Sequence, residues 1–315
     1  MDLQTIFLDL KPLEAIADHV SYRHALKDCT TFQLGGACPA LITCASANTL
    51  TKSIQFLAKK NIPFLLIGGG SNLVISDTGL NQCVIRYVSE KPDIRFHEDQ
   101  VWVTGATSLD TLAKTCAEQG FVGLNMTTGI PGTVGGAIVG NAGAFGKQAG
   151  DVLLRLELID LSGTCSSCPA TDWVFSYRHS SLKESGQYVV SASFQLTKGN
   201  SEKLLKEREE ILDVRRNKHP DLLKEPCAGS IFRNIEPTSS AKRRQASGWF
   251  LEQAGAKGMH IGGAYVYEKH ANIIVKGPDC TSQDVNELAC RMSQSVKEKF
   301  GINLIREVKF LGKFN

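Results

Sequence analysis

Between Gln119 and Gly146 the chain carries no charged side chain, and glycine recurs at 120, 123, 129, 132, 135, 136, 140, 143 and 146. An uncharged stretch of this length raises the question of a membrane helix. So many glycines, with Pro131, Asn125 and Asn141 among them, rule out a lipid-facing helix, because freed backbone groups go unsatisfied in hydrocarbon. Each glycine inside a regular element costs roughly 1 kcal/mol. Such density is tolerated where something large must lie against bare backbone. The stretch reads as a loop built for close backbone approach.

A second glycine loop, Gly68-Gly69-Gly70-Ser71-Asn72, follows the strand-like run 62–67. Ahead of it, Ala40–Cys44 reads as a strand, and Leu50, Ile54, Leu57 and Ala58 recur at helical spacing. The long loop follows a similar unit. Residues 101–104 are strand-like, Ser108 is placed to cap a helix, and Leu109, Leu112, Ala113 and Cys116 form its buried stripe. Glycines let backbone N–H groups approach a phosphate, and Ser71 and Asn72 add side-chain hydrogen bonds. A tight turn would also explain three glycines in a row. The loop has neither the Gly-Lys-Ser/Thr of a Walker site nor the GxGxxG of a dinucleotide fold. Two such loops, each after a strand–helix unit, suit the pyrophosphate and isoalloxazine of a flavin.

A chain of 315 residues is long for one core, so two or three domains are expected. A net charge of +3 is too small to argue for nucleic acid or a membrane surface, yet leaves room for a basic pocket that takes an anion. The opening residues lack a basic region, an unbroken apolar run and a small-residue cleavage site, so a cytoplasmic protein is expected. The ten cysteines are scattered, several within apolar periodic segments, as buried free thiols are. Cys165 and Cys168 form a CxxC with no second pair at zinc spacing, and no metal is expected.

Beyond the long loop, strands are expected near 152–160 and 188–196, and the composition shifts at Lys198. Residues 200–219 are charge-rich, with Leu204, Leu205, Ile211 and Leu212 on one helical face and Pro220 as a stop. A helix near 248–254 and strands near Ala264–Val266 and 272–275 follow. A helix from about Ser282 to Phe300 has Val285, Leu288, Ala289, Met292 and Val296 as its apolar stripe and Gly301 as its C′ residue. Residues 304–311 alternate like a strand.

The motifs, taken in order, resemble the UDP-N-acetylenolpyruvoylglucosamine reductase family. Thr31-Phe32-Gln33-Leu34-Gly35-Gly36, the 68–72 loop and the 129–146 loop resemble its FAD-binding half, whose fold is shared with vanillyl-alcohol oxidase and p-cresol methylhydroxylase. Ser176-Tyr177-Arg178, Lys218-His219-Pro220, Ala228-Gly229-Ser230-Ile231-Phe232-Arg233-Asn234, Gly248-Trp249-Phe250-Leu251-Glu252-Gln253, Lys269-His270-Ala271-Asn272 and Arg306-Glu307-Val308 follow in the family's order. The likeness spans about residues 28 to 312. The short interval from Ser230 to Glu307 resembles the subtype without a tyrosine-bearing lid loop.

The resemblance implies an α+β chain: an FAD-binding region over 1–198 in two α/β subdomains (about 1–90 and 91–198), a substrate-binding domain over 199–300, and a C-terminal strand, 301–315, returning to the active site. It implies NADPH-dependent reduction of UDP-N-acetyl-3-O-(1-carboxyvinyl)-glucosamine to UDP-N-acetylmuramate through FAD, in peptidoglycan synthesis, by a monomer. Neither glycine loop holds a His or Cys through which a flavin could be tethered, so the FAD is expected to be non-covalent. By resemblance, Ser230 donates a proton to C2 of the enolpyruvyl group, while Arg178 and Glu307 polarise its carboxylate. Hydride addition to an enol ether needs electron density drawn into that carboxylate, which fixed donors accomplish. A hydroxyl on a Gly-Ser turn can approach carbon closely enough to protonate it. Taken alone, Ser230 would be a turn residue and Arg178 and Glu307 surface charges.

Cofactor contacts fall by the same resemblance on Gly68, Gly69, Gly70, Ser71, Asn72, Thr128, Gly129, Ile130, Pro131, Thr133, Gly135, Gly136, Asn141 and Gly143. Tyr177, Lys218, Arg233, Asn234 and His270 fall where the nucleotide-sugar is held, and Arg233 suits a diphosphate. Tyr267, Lys276 and Ile235 depart from the family's pattern. Another FAD-dependent oxidase of the same fold, or a nucleotide-binding module without catalysis, are the competing readings.

Overall fold

The computed structural model describes residues 9–237 and 243–315, so the first residues, over which no leader was expected, lie outside it. The chain forms two compact units. The first takes the residues up to His24 with Cys38–Gly69 and Asn81–Arg215, and the second takes Ala25–Ala37, Gly70–Leu80 and Arg216–Asn315. They do not follow the linear division at 198 and 300, because two short early segments join the second unit and a charged helix stays with the first.

The first unit is built on two larger sheets. Ala40–Cys44, Cys83–Tyr87 and Phe64–Ile67 run parallel, with His19–Tyr22 antiparallel at the edge. Helix α1, Ala47–Lys59, links two of these strands. Ser46 starts it in a capping box with Thr49, and Leu50, Ile54 and Leu57 lie buried with Ile42, Cys44 and Ile85. The second sheet is antiparallel, in the order Cys165–Pro169, Leu153–Asp160, Gln187–Gln195, Gln100–Thr104, Ile94–His97. Helix α2, Leu109–Glu118, begins where the side chain of Ser108 accepts the Thr111 N–H, and its Leu109, Leu112 and Cys116 join the core.

The uncharged stretch is not all loop. Val134–Gly140 forms a short helix, α3, despite three glycines in seven residues. Thr133 caps it, with Oγ1 accepting the Gly136 N–H at 3.3 Å, and Val134 and Ile138 anchor it in the core. The N–H groups of Val134 and Gly135 are taken by the carbonyls of Thr107 and Gly105. Tertiary hydrogen bonds and two apolar anchors override a poor helix propensity.

Helix α4, Ser201–Lys218, places Leu204, Arg208 and Ile211 on its buried face. Its body stays with the first unit because Arg208 grips Asp110 of α2 with both terminal nitrogens, at 2.7 and 2.8 Å.

In the second unit, α5 (Ser247–Gln253) and α6 (Ser282–Phe300) enclose one core with the antiparallel strands His260–Ile261, Ala264–Val266 and Ile274–Lys276. Thr281 and Asp284 make a capping box at the start of α6, and Gly301 ends it at φ +69°. Residues 304–311 do not form the expected continuous strand. Only Lys309–Leu311 pairs, in parallel with Leu73–Ile75, while Arg306 makes an isolated bridge to Phe232. The segment is divided between two partners, which breaks the ladder.

No helix of the described residues is long and apolar enough to cross a membrane. All ten cysteines are unpaired and seven are buried. Burial pushes the Cys116 thiol up to about 12, leaving it a packing residue.

Candidate functional site

In the first unit the two glycine loops meet. A Cβ on Gly68 would overlap Oγ1 of Thr133, and one on Gly69 would lie 3.1 Å from Cα of Gly132. Glycine is needed there because backbone packs on backbone. The Gly129 N–H donates to Oδ1 of Asp110 at 2.6 Å, and Arg208 reaches Oγ1 of Thr128 at 3.3 Å. Burial would raise the Asp110 carboxyl, but the Arg208 hydrogen bonds and the Gly129 N–H hold it below the usual range. The side chain of Thr128 is buried in this network, while Ile130 is half-buried and Pro131 exposed.

Helix α3 is bare for two different reasons. A Cβ on Gly135 would press on the carbonyls of Gly105 and Val189 at 3.3 and 3.4 Å. On the other face, a Cβ on Gly136 would meet only Oγ1 of Thr133 at 3.5 Å, and one on Gly140 would meet nothing within 4 Å. Residues four apart share a helix face, and alanine at each would favour the helix by about 1 kcal/mol. Nothing within the unit demands glycine at 136 and 140. A large flat group or a phosphate laid against that face would demand it, so the residues present fit FAD.

At the end of α3, Asn141 adopts left-handed φ +46° and is fully buried. Its Nδ2 donates to the Ser176 carbonyl at 2.7 Å, and its Oδ1 accepts the Gly150 N–H at 3.0 Å. Gly143 is required by its own turn, where a Cβ would overlap the Lys147 carbonyl. These two residues, expected among the cofactor contacts, have structural reasons of their own.

Asn141 holds a hairpin in which Phe175–Ser176 pairs with His179–Ser180, leaving Tyr177 and Arg178 as the two-residue turn. Arg178 sits at φ +56°, a conformation that favours glycine. Its guanidinium carbon lies 5.2 Å from the centroid of the Tyr177 ring, and its carbonyl accepts Lys183 Nζ at 2.7 Å. Arginine in such a place costs of order 1 kcal/mol and persists when the side chain is wanted.

The second unit contains Ser230 and Glu307. The Glu307 N–H donates to the Ile231 carbonyl at 2.8 Å, and the Arg233 N–H to that of Ile305 at 2.9 Å, so Glu307 lies one residue from Ser230 across this pairing. The Ser230 hydroxyl is half-buried and donates to no described residue. Asn272, almost fully buried, fixes the segment: its Oδ1 accepts the Phe232 N–H at 3.0 Å, and its Nδ2 donates to the Phe232 carbonyl at 2.8 Å. Asn72 of the first glycine loop reaches the Glu307 carbonyl from Nδ2 at 3.2 Å. Gly70 turns at φ +65° beneath Cys29, and Ser71 beside it is half-buried.

Among the other expected contacts, Nε of Arg233 is buried without a hydrogen-bond partner. Asn234 accepts the Ser247 N–H at 3.3 Å, and Lys218 is exposed at the end of α4. The rings of His219 and His270 are 5.7 Å apart. Nδ1 of His270 accepts the Asn272 N–H at 3.3 Å, so the neutral ring carries its proton on Nε2. Burial, then Lys257 and Lys218, push His270 below its ordinary 6.5.

The structure thus brings Ser230 and Glu307 together in one unit with Gly70–Asn72, and sets Gly68 and Gly69 against the second glycine loop in the other, which also holds Tyr177 and Arg178. Sequence reasoning missed Asp110, Arg208, Asn272 and Gly140. The one available signal was an arginine standing at an apolar-stripe position of α4, between Leu204 and Ile211.

Residues 221–311 match the C-terminal domain of UDP-N-acetylenolpyruvoylglucosamine reductase, and residues 38–169 match an FAD binding domain. A protein named UDP-N-acetylenolpyruvoylglucosamine reductase from Acaryochloris marina is 38% identical over 317 residues, covering 99% of this chain and 97% of that one. One of the same name from Anoxybacillus flavithermus is 34% identical over 302 residues, covering 96% and 97%. The crystal structure of UDP-N-acetylenolpyruvylglucosamine reductase from Thermus caldophilus is similar with a TM-score of 0.76 at 28% identity, over 93% of this chain and 99% of that one.

Proposed function

Since this chain belongs to the UDP-N-acetylenolpyruvoylglucosamine reductase family of FAD-dependent oxidoreductases, we propose that it uses NADPH to reduce UDP-N-acetyl-3-O-(1-carboxyvinyl)-glucosamine to UDP-N-acetylmuramate. Its FAD-binding fold is of the vanillyl-alcohol oxidase and p-cresol methylhydroxylase type. The reading rests most on one observation: a serine hydroxyl that donates to no described residue, one residue from Glu307 across a backbone pairing that Asn272 holds still.

The bare face of α3 and the two glycine loops would hold FAD, which would supply the hydride that the enolpyruvyl group takes up. Arg178 presents its planar fork to the carboxylate and stabilises the charge that arrives when the C2–C3 π pair moves toward it. Ser230 then gives its proton to C2 and recovers one from solvent. Glu307 polarises the same carboxylate, while Lys218, Arg233, Asn234, His270 and Tyr177 hold the nucleotide-sugar. The buried, unpartnered Nε of Arg233 suits an anionic phosphate. The enzyme works in the cytosol as a monomer, where its ten free thiols stay reduced.

The test is spectroscopic. The purified protein should be yellow, should release FAD on acid precipitation, and should oxidise NADPH when the enolpyruvyl sugar is present. Ser230→Ala should leave flavin reduction by NADPH nearly intact and slow reoxidation by the sugar about 10²- to 10⁴-fold, the usual worth of a positioned general acid. Equal slowing of both half-reactions would make the serine structural. Faster reoxidation by O₂ than by the sugar would point to an oxidase.

A further inference from the structure

We propose that Arg215 is a second carboxylate-binding guanidinium of this site, acting with Arg178 on the anionic end of the substrate; the proposal rests on the reductase reading above. Arg215 occupies α4 two turns beyond Arg208, on the same buried face. The two arginines have opposite circumstances. Arg208 is paired through both terminal nitrogens to Asp110. Arg215 has its Nε buried with no hydrogen-bond partner, and its guanidinium donates to no described residue. A buried donor left unmade costs about 1–3 kcal/mol, more when charged, so a partner from outside the chain is the economical explanation.

The surroundings say what kind of partner. Arg215 lies under the second glycine loop, where a Cβ on Gly129 would be 2.8 Å from its Cδ and 3.3 Å from its Nε. Gly129 itself stands at φ +69°, so the loop leaves the guanidinium uncovered by any side chain at that position. The acid acting on Arg215 is Asp110, whose Oδ1 already accepts from Arg208 and the Gly129 N–H and whose Oδ2 accepts from Arg208. Arg178 acts on Arg215 as a like charge. Asp110 is already shared by Arg208 and the Gly129 N–H, so Arg215 is left without a carboxylate of its own among the described residues. Burial and Arg178 both make the charged form of Arg215 harder to hold.

A carboxylate answers this arrangement. The enolpyruvyl group carries one negative charge at rest and gains a second as hydride adds and the π pair moves into the carboxylate. A buried guanidinium with no carboxylate of its own among the described residues holds that later state more strongly than the resting one, and such a difference accelerates the reaction. A neutral sugar would meet none of it.

The experiment uses the full-length FAD-loaded enzyme and the variants Arg215→Met and Arg215→Lys, with two ligands titrated against the flavin absorbance. UDP-N-acetyl-3-O-(1-carboxyvinyl)-glucosamine carries the carboxylate, and UDP-N-acetylglucosamine lacks it. Arg215→Met should weaken the first by about 10- to 100-fold, the usual worth of a charged hydrogen bond, and leave the second within about threefold. Flavin reduction by NADPH should be preserved, reoxidation by the carboxylate sugar slowed, and Arg215→Lys should recover part of the loss. Equal weakening of both ligands, or loss of bound FAD in Arg215→Met, would overturn the proposal and make Arg215 a structural or flavin-holding residue. Failure of the unaltered enzyme to turn over the enolpyruvyl sugar would instead remove the reductase reading itself.

Discussion

Asn141 donates its side-chain amide to the Ser176 carbonyl at 2.7 Å, joining the end of the glycine-rich helix α3 to the turn that presents Arg178. The same amide accepts the Gly150 N–H at 3.0 Å, and Oγ of Ser180 returns to the Val139 carbonyl at 2.7 Å. The bare helix face and the arginine hairpin are therefore one rigid construction within their unit. Displacing either displaces the other.

Removing the tie should cost more than one hydrogen bond. Asn141→Ala leaves the Ser176 carbonyl and the Gly150 N–H without their partner and puts an alanine at φ +46°. Two part-buried groups left without their partner and a left-handed residue amount to about 1–3 kcal/mol. Asn141→Gly removes only the backbone penalty and should recover about 1 kcal/mol of it. Urea midpoints of the two variants check the ranking, and equal midpoints would refute the left-handed contribution.

Arg178 should show stability and activity moving apart. Arg178→Gly relieves φ +56°, worth roughly 1–2 kcal/mol, against about 0.4–1 kcal/mol for the looser unfolded chain. The variant should unfold no earlier than the parent while losing at least about 100-fold in reoxidation by the enolpyruvyl sugar. Arg178→Lys should do worse than its conserved charge suggests, because an ammonium cannot reproduce the planar fork. An Arg178→Gly protein that is markedly less stable would show the side chain to be structural.

The regular elements were legible where periodicity and caps agreed. Ser108 caps α2, and Gly301 ends α6, because one polar oxygen or one missing Cβ decides each locally. Helix α3 was not legible. Its glycines argue against a helix, and the hydrogen bonds that form it come from Gly105 and Thr107, remote from it in sequence. The Asp110–Arg208 pair was hidden for a similar reason, since an arginine among Leu204 and Ile211 has no meaning until its partner on another helix is known. The Ser230 and Glu307 motifs were readable as a resemblance, but their juxtaposition depends on the pairing of Ile231 with residues 305–307 and on Asn272.

The bare face of α3 makes an unusual demand on a single methyl group. Gly140→Ala adds a Cβ with nothing within 4 Å and should stabilise the flavin-free protein by about 0.5–1 kcal/mol. If FAD lies against that face, the same variant should bind FAD more weakly, so the thermal stabilisation by added FAD shrinks. Gly68→Ala, whose Cβ overlaps Thr133, should destabilise the flavin-free protein as well. Unfolding temperatures with and without FAD separate the cases, and a Gly140→Ala protein with undiminished FAD affinity would place the flavin elsewhere.

His270 should link acid stability to the segment bearing Ser230. Its Nδ1 accepts the N–H of Asn272, whose side chain holds Phe232 on both sides, so a proton on Nδ1 would set two donors against each other. Burial, with Lys257 and Lys218, keeps the folded imidazole below 6.5. A base with a lowered folded pKa is protonated first in the unfolded chain, so its contribution is complete above 6.5. That contribution is lost as pH falls from there through the folded value. The urea midpoint of the parent should therefore fall between about pH 7.5 and 5.5 by more than that of His270→Gln, whose amide oxygen accepts without titrating. Parallel curves over that interval would show that the His270 ring is not held neutral by the fold, and the tautomer assigned here would be wrong.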